Sequence, residues 1–400
     1  MAQFEIHYGT GESFQFELPE EHVLWKQSGP EAQDDAVRAI EEALATPLDY
    51  PPVGDAVVPG DKVTLVIDAG TPAWDEIIRA LGRQLESRGV EADKLHVVLN
   101  GVGTETAAAE SSSLPYKVIA FDEAMQGRSV YLASTAEGQR IYLPEEIGEA
   151  DYVVTIGRFG FDDRWGYRGT NSTVYPAFGG EEAQTRFSGP GSQELSPDES
   201  FGVRQMIDEI GWLLGLQFSV QVIPSGSGKL AHVIAGASDS VYRESVSRLN
   251  SSWRSSISTP AETVIVSVPS LEAGDAWFST ARACRAAEKL VSEDGRVLLV
   301  TDLKDFPEGL QETIQSSGDS DEVMRNLNRS KSPASRAVAT LAGLASRYRV
   351  YLLSRLEQDI VENLFCIPLA DTDELRSALQ GGTTYAVLDG GQFAWVDTEN

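Results

Sequence analysis

Cysteine and histidine are scarce in this chain, and that scarcity excludes several chemistries before any motif is weighed. The two cysteines, Cys284 and Cys366, lie far apart in 400 residues and sit in mainly apolar settings. Buried structural thiols are expected, rather than a disulfide framework or a nucleophile. The four histidines, His7, His22, His96 and His232, never fall within four residues of one another. Zinc and related centres need clustered imidazole or thiolate ligands, so no such metal site is expected. Lysine is missing altogether between Lys117 and Lys229, and that interval has no histidine either. No apolar run approaches the roughly 20 residues that span a bilayer. The first nine residues alternate like a strand and lack the charged-then-apolar pattern of a secretion signal, so a cytoplasmic protein is expected.

What is abundant is acid. Sixty-one Asp and Glu against 32 Lys and Arg give a formal net charge of −29. Such a surface repels phosphate backbones and anionic lipid, so neither nucleic acid nor a membrane is an expected partner. A solvated acidic surface accounts for the excess without any special role. Hydrophobic residues at 42% and charged residues at 23% are the balance of a globular chain, and the length implies two domains.

Lys62 to Asp68 is a continuous apolar run bounded by polar turns, the mark of a strand covered on both faces. Ile77, Ile78, Leu81 and Leu85 follow at helical spacing up to Gly89, and Leu95 to Leu99 is the next strand. Two further strands are read at 116–121 and 151–157. The pattern is a β-α-β series whose loops open at the strands' C-terminal ends, where α/β proteins put their chemistry. A serine-rich stretch at 251–260 leads to a second series, with strands at 263–268, 296–300 and 350–353. The expected fold is therefore α/β: a parallel-sheet N-terminal domain over 1–255 and a smaller Rossmann-like domain over 256–382. A tail over 383–400 is expected to return to the first domain, with ligands in the cleft between the two.

Ser225-Gly226-Ser227-Gly228-Lys229 invites a phosphate-loop reading and fails it. The required glycine position holds Ile223, and the residue after the lysine is Leu230, so a hairpin turn is expected. The most pointed cluster is Phe161-Asp162-Asp163-Arg164-Trp165-Gly166-Tyr167-Arg168-Gly169. Its guanidiniums and aromatics can form an anion or hydroxy-acid pocket, with Arg164 and Arg168 binding a carboxylate and Trp165 and Tyr167 excluding water. Equally, its acids and arginines can neutralise each other on a surface loop. Glu105, after the second strand, makes a second carboxylate available for acid/base work with Asp162.

The order of these segments resembles the nickel-dependent lactate racemase family, which racemises or epimerises 2-hydroxy acids with a nickel-pincer nucleotide. The turn Asp68-Ala69-Gly70-Thr71-Pro72, the loop Gly103-Thr104-Glu105, the strand after Glu149-Ala150-Asp151 and the segment Gly166 to Ser172 with Tyr175-Pro176 carry the likeness. The resemblance implies a lysine that anchors the cofactor, a histidine that ligates nickel and two proton-shuttling histidines. The matching positions hold Ser172, Ser188, Glu105 and Asp162, while a C-terminal lysine falls near Ala273. Shifting the register does not restore them, because the whole interval lacks lysine and histidine. The expectation is a relative without cofactor that holds a small hydroxy acid or another anion. Two alternatives stay open. One is a diverged isomerase or lyase using Glu105, Asp162 or Asp163 as bases. The other is an active racemase that keeps the nickel-pincer nucleotide by other means.

Overall fold

In the computed structural model the described residues are 1–100, 114–121, 128–180, 183, 196–199, 201–270, 276–315, 319–330, 332 and 334–398. The long apolar runs become the middle of a six-stranded sheet. Its order is Leu230–Ala237, Phe218–Pro224, Tyr152–Arg158, Val63–Asp68, Leu95–Asn100 and Lys117–Ala120. All neighbours are parallel except the hairpin of Phe218–Pro224 with Leu230–Ala237. One face packs on helix Trp74–Glu86 through Ile77, Ile78, Leu81 and Leu85. On the other, Val66 and Val98 meet Phe178, Ile207 and Ile210. The hairpin turn closes where Ser225 donates to the Lys229 carbonyl at 2.8 Å, so the serine-glycine run is a turn.

A second six-stranded sheet, parallel throughout, runs Ile367–Leu369, Arg349–Leu353, Val291–Val300, Ala261–Ser267, Tyr385–Leu388 and Val23–Gln27. Its membership differs from the segmentation drawn at 255 and 382. The N-terminal strand Val23–Gln27 and the tail strand Tyr385–Leu388 both lie in this sheet. The hairpin Ala2–Tyr8/Glu12–Leu18 covers one face of it with Ile6, Phe14 and Phe16. Only the last strand, Trp395–Thr398, turns back, pairing with Arg254–Ile257 after the long helix Ser238–Trp253. The physical reason is pairing over great sequence distance: a parallel sheet is completed by whichever strands fit its open edge, and local periodicity carries no trace of that choice.

Both cysteines are buried and free, and burial pushes the Cys366 thiol up to about 12. Burial raises Cys284 as well, with Cys366 adding to the effect. Among the described residues no helix is long and apolar enough to cross a membrane.

The N-terminal hairpin and the tail are fastened to the second sheet by a buried carboxylate at the end of Tyr385–Leu388. Asp389 accepts from the His7 backbone N–H at 2.7 Å, pairs with His7 Nδ1 at 2.8 Å, and accepts from the Ser267 hydroxyl at 2.8 Å. This hydrogen bond, and then the Asp389 charge with Glu5, raises the pKa of His7, while burial and Lys229 oppose the rise. The imidazolium is therefore favoured in the folded protein. Its contribution is complete below the unfolded value of 6.5 and is lost as pH rises through the raised folded value. Urea midpoints are expected to fall from about pH 6 to about pH 9, and His7→Gln is expected to flatten that part of the fall. Parallel pH profiles for the two proteins would refute the assignment.

Candidate functional site

The C-terminal ends of the central strands of the first sheet converge. Val63–Asp68 delivers Asp68, Tyr152–Arg158 delivers Arg158, and Phe218–Pro224 delivers Pro224. Immediately after Arg158 the chain folds into a short hairpin, Gly160–Asp162 against Gly166–Arg168. Phe159, Phe161 and Tyr167 from this stretch pack with Trp253 and Phe393 in a cluster that joins the two halves. Gly169 ends the hairpin at φ +120°, where a Cβ would lie 2.5 Å from the Phe159 ring and 2.6 Å from Gln221 Oε1. No side chain fits there.

The cluster singled out in the sequence is thus one object, but most of its charges are already engaged. Asp162 is 2% exposed. Arg164 grips it through Nε and Nη2 at 3.0 and 2.9 Å, and through its backbone N–H at 3.0 Å. Burial alone would push the Asp162 carboxyl up, but Arg164 and then Arg168 outweigh it and hold the group down at about 2. A carboxylate held so low is a weak base. Arg164 also stacks over the Trp165 ring, 4.0 Å from its centroid. Asp163 reaches across to Arg285 on helix Ala276–Leu290 and forms an ion pair between the halves. Tyr167 donates its hydroxyl to Asn250 at 3.1 Å. Mutual neutralisation, the plainer reading of this loop, describes Asp162 and Arg164.

Arg168 differs. It pairs with Asp68 at 2.5 Å and also lines a cleft between the halves. Arg158 and Arg282 line the same cleft, with Phe161, Gln392 and Phe393. Arg158 is 5% exposed and sits over Phe393, 5.7 Å from the ring centroid. Arg282, from helix Ala276–Leu290, donates to the Gln392 carbonyl at 3.2 Å. Three arginines from two halves therefore line one small space, which in this conformation has room for about one water molecule. Sequence reasoning missed Arg158, Arg282, Gln392 and Phe393. Arg158 had a usable signal, since it ends a central parallel strand. The others reach the cleft only through tertiary packing.

After the hairpin comes the turn Thr170–Thr173. Ser172 is buried, and its hydroxyl accepts from the Gly169 N–H at 2.7 Å, so it serves as a local cap. The buried Arg204 fastens this turn, donating to the Thr170 hydroxyl at 2.7 Å and stacking on Tyr242 at 3.9 Å. The described part of the segment offers hydroxyls, amides and guanidinium, with no amine or imidazole. Among the described residues no three His, Cys, Asp or Glu side chains converge as metal ligands. Glu105, Ser188 and Ala273 lie outside the described residues.

The family model of the lactate racemase N-terminal domain matches residues 8–186. No curated protein matches the chain. Among solved structures, the lactate racemase apoprotein from Thermoanaerobacterium thermosaccharolyticum is 17% identical, with a TM-score of 0.73, over 99% of this chain and 100% of that one. A protein from Thermotoga maritima is 13% identical, with a TM-score of 0.65, over 92% of this chain and 100% of its own. Both likenesses are of fold.

Proposed function

Through its N-terminal domain this chain belongs to the lactate racemase family, and on that premise we propose that it binds a small anion of the hydroxy-acid class without nickel-pincer chemistry. The convergence of Arg158, Arg168 and Arg282 on one interdomain cleft carries the reading. Guanidinium groups bind carboxylates bidentately, and the Phe393 wall keeps water from competing. In a protein of net charge −29, such a concentration of positive charge is local and specific. Because the cleft has room for about one water molecule, the ligand enters as the halves part and closes them over itself.

The nickel-pincer nucleotide does not suit the residues on hand. Its anchoring position holds Ser172, whose hydroxyl is committed to capping the turn, and the interval between Lys117 and Lys229 supplies neither amine nor imidazole. Catalysis by carboxylates is also disfavoured, since Asp162 is held at about 2 and Asp163 is paired with Arg285.

Two measurements test the proposal. Protein produced alongside the nickel-pincer biosynthesis enzymes is expected to have the mass of the bare chain and to contain no nickel. One nickel per chain would return the racemase reading to first place. Calorimetric titration with lactate and malate is expected to show saturable binding that weakens as salt is raised.

A further inference from the structure

We infer that the indole of Trp253 is the pivot on which the two halves turn, with Gly29 and Gly390 as the bending points and the Asp163–Arg285 pair as the latch. This deepens the anion-binding reading above, in which a ligand enters as the halves part. Trp253 ends helix Ser238–Trp253, is fully buried, and donates its Nε1–H to the Pro224 carbonyl at 3.0 Å, so the ring is fixed to the first half. Each passage of the chain between the sheets runs beside it. The first leaves Val23–Gln27 through Ser28-Gly29-Pro30 and reaches the first half where Gln33 donates its N–H to the Leu230 carbonyl at 2.9 Å. The second starts at Trp253 itself and runs through Arg254–Ile257 into Ala261–Ser267. The third leaves Tyr385–Leu388 through Asp389-Gly390-Gly391 for the strand Trp395–Thr398.

On the first and third passages a glycine meets the ring. A Cβ on Gly29 would lie 2.1 Å from the Trp253 ring, and one on Gly390 would lie 3.0 Å from it. Both glycines hold the left-handed conformation, at φ +68° and +74°. Their strands pair in register, Gln27 with Leu388, so each glycine stands two residues beyond its strand's paired end. Backbone without side chains has nothing to interlock with a flat ring, and residues at the ends of elements are where hinge motions are absorbed. The halves are also joined by the ion pair of Asp163 with Arg285. Burial and the like charge of Arg336 both disfavour the Arg285 cation. The Asp163 charge therefore holds in the seam a group that is better hydrated outside it.

Spin-label distances test the pivot without any ligand. Both native cysteines are buried, so cysteines added at exposed sites take the label selectively. Ser28→Cys with Ser251→Cys reports beside the pivot, since both serines are exposed and lie within two residues of Gly29 and Trp253. Lys94→Cys with Lys289→Cys reports far from it, because these exposed lysines stand at the ends of their sheets opposite the cleft. Asp163→Lys sets like charges against each other across the seam and is expected to part the halves. The outer pair then gains a second, displaced distance, while the inner pair keeps its wild-type distance. Adding Gly390→Ala, whose Cβ would meet the ring, is expected to remove the displaced distance. An outer pair unmoved by Asp163→Lys, or an inner pair that moves as far as the outer one, would overturn the pivot. A displaced distance that survives Gly390→Ala would overturn the role of that glycine. The anion reading is judged separately, by whether lactate and malate bind the wild-type protein in calorimetry. The Asp163→Lys comparison decides the matter even where the alanine variant folds poorly.

Discussion

Replacing Asp389 by alanine is expected to lower the unfolding free energy by about 3 kcal/mol, far more than any surface ion pair in the molecule would cost. The carboxylate is 3% exposed and gathers three donors: the His7 N–H, the His7 ring and the Ser267 hydroxyl. Alanine leaves the Ser267 hydroxyl buried without its acceptor, and it releases the N-terminal strand from the tail. The neighbouring turn is built against this group, since a Cβ at Gly226 would lie 2.6 Å from Asp389 Oδ2. The same residue therefore ties both ends of the chain to the second sheet. The His7 ring is 37% exposed on its side chain and rehydrates once freed, so its share of the loss is the smaller one. Asp389→Asn keeps an acceptor and is expected to cost about 1 kcal/mol. Urea unfolding followed by tryptophan fluorescence reads the change, because Trp253 packs against Phe393, only four residues further along than Asp389. A loss from Asp389→Ala no greater than that of Arg355→Met, which breaks an exposed pair with Glu12, would refute this account.

What the sequence disclosed follows from how the information is carried. Val63–Asp68 and Leu95–Asn100 were readable because a strand buried on both faces must be apolar throughout. Ala261–Ser267 and the end of Val291–Val300 were readable for the same reason. The strands at the ends of the second sheet were not. Ile367–Leu369 is three residues long, and Val23–Gln27 alternates between half-buried and exposed positions. Neither looks different from a loop or an isolated hairpin strand. Their partners also lie far away in the chain for Val23–Gln27, which pairs with Tyr385–Leu388.

The site divides in the same way. The charged hairpin around Asp162 stood out because its residues are contiguous, yet contiguity says nothing of who pairs with whom. Asp162 turned to Arg164 two residues on, whereas Asp163 turned to Arg285 in the other half. Arg282 sits on helix Ala276–Leu290, and nothing in helical periodicity marks which of its arginines lines the cleft. Gln392 follows a Gly-Gly pair, and nothing in its neighbours marks that its amide is pinned to Pro269 at 2.8 Å.

Arg282→Met is expected to weaken lactate and malate binding by about 10- to 100-fold. Of the three cleft arginines Arg158 and Arg168 come from the first half, and Arg282 comes from the second. It is therefore the contact through which a bound carboxylate draws the halves together. A hydrogen bond from a guanidinium to a carboxylate contributes about 1.5–3 kcal/mol, which is the source of the expected range. Methionine keeps the apolar stem of the side chain, so packing of helix Ala276–Leu290 is preserved. The bonds lost within the protein include a 3.2 Å bond to the Gln392 carbonyl and a long 3.4 Å contact with Ser279. Arg282→Lys keeps the charge but not the planar fork, and it is expected to recover only part of the affinity. The salt dependence separates charge from shape: the methionine variant is expected to show a shallower fall in affinity with ionic strength, and the lysine variant a slope like the wild type. If Arg282→Met binds lactate as the wild type does, the ligand does not bridge the halves. The cleft would then be a structural seam, held by Asp163 and Arg285, with its arginines serving the fold alone.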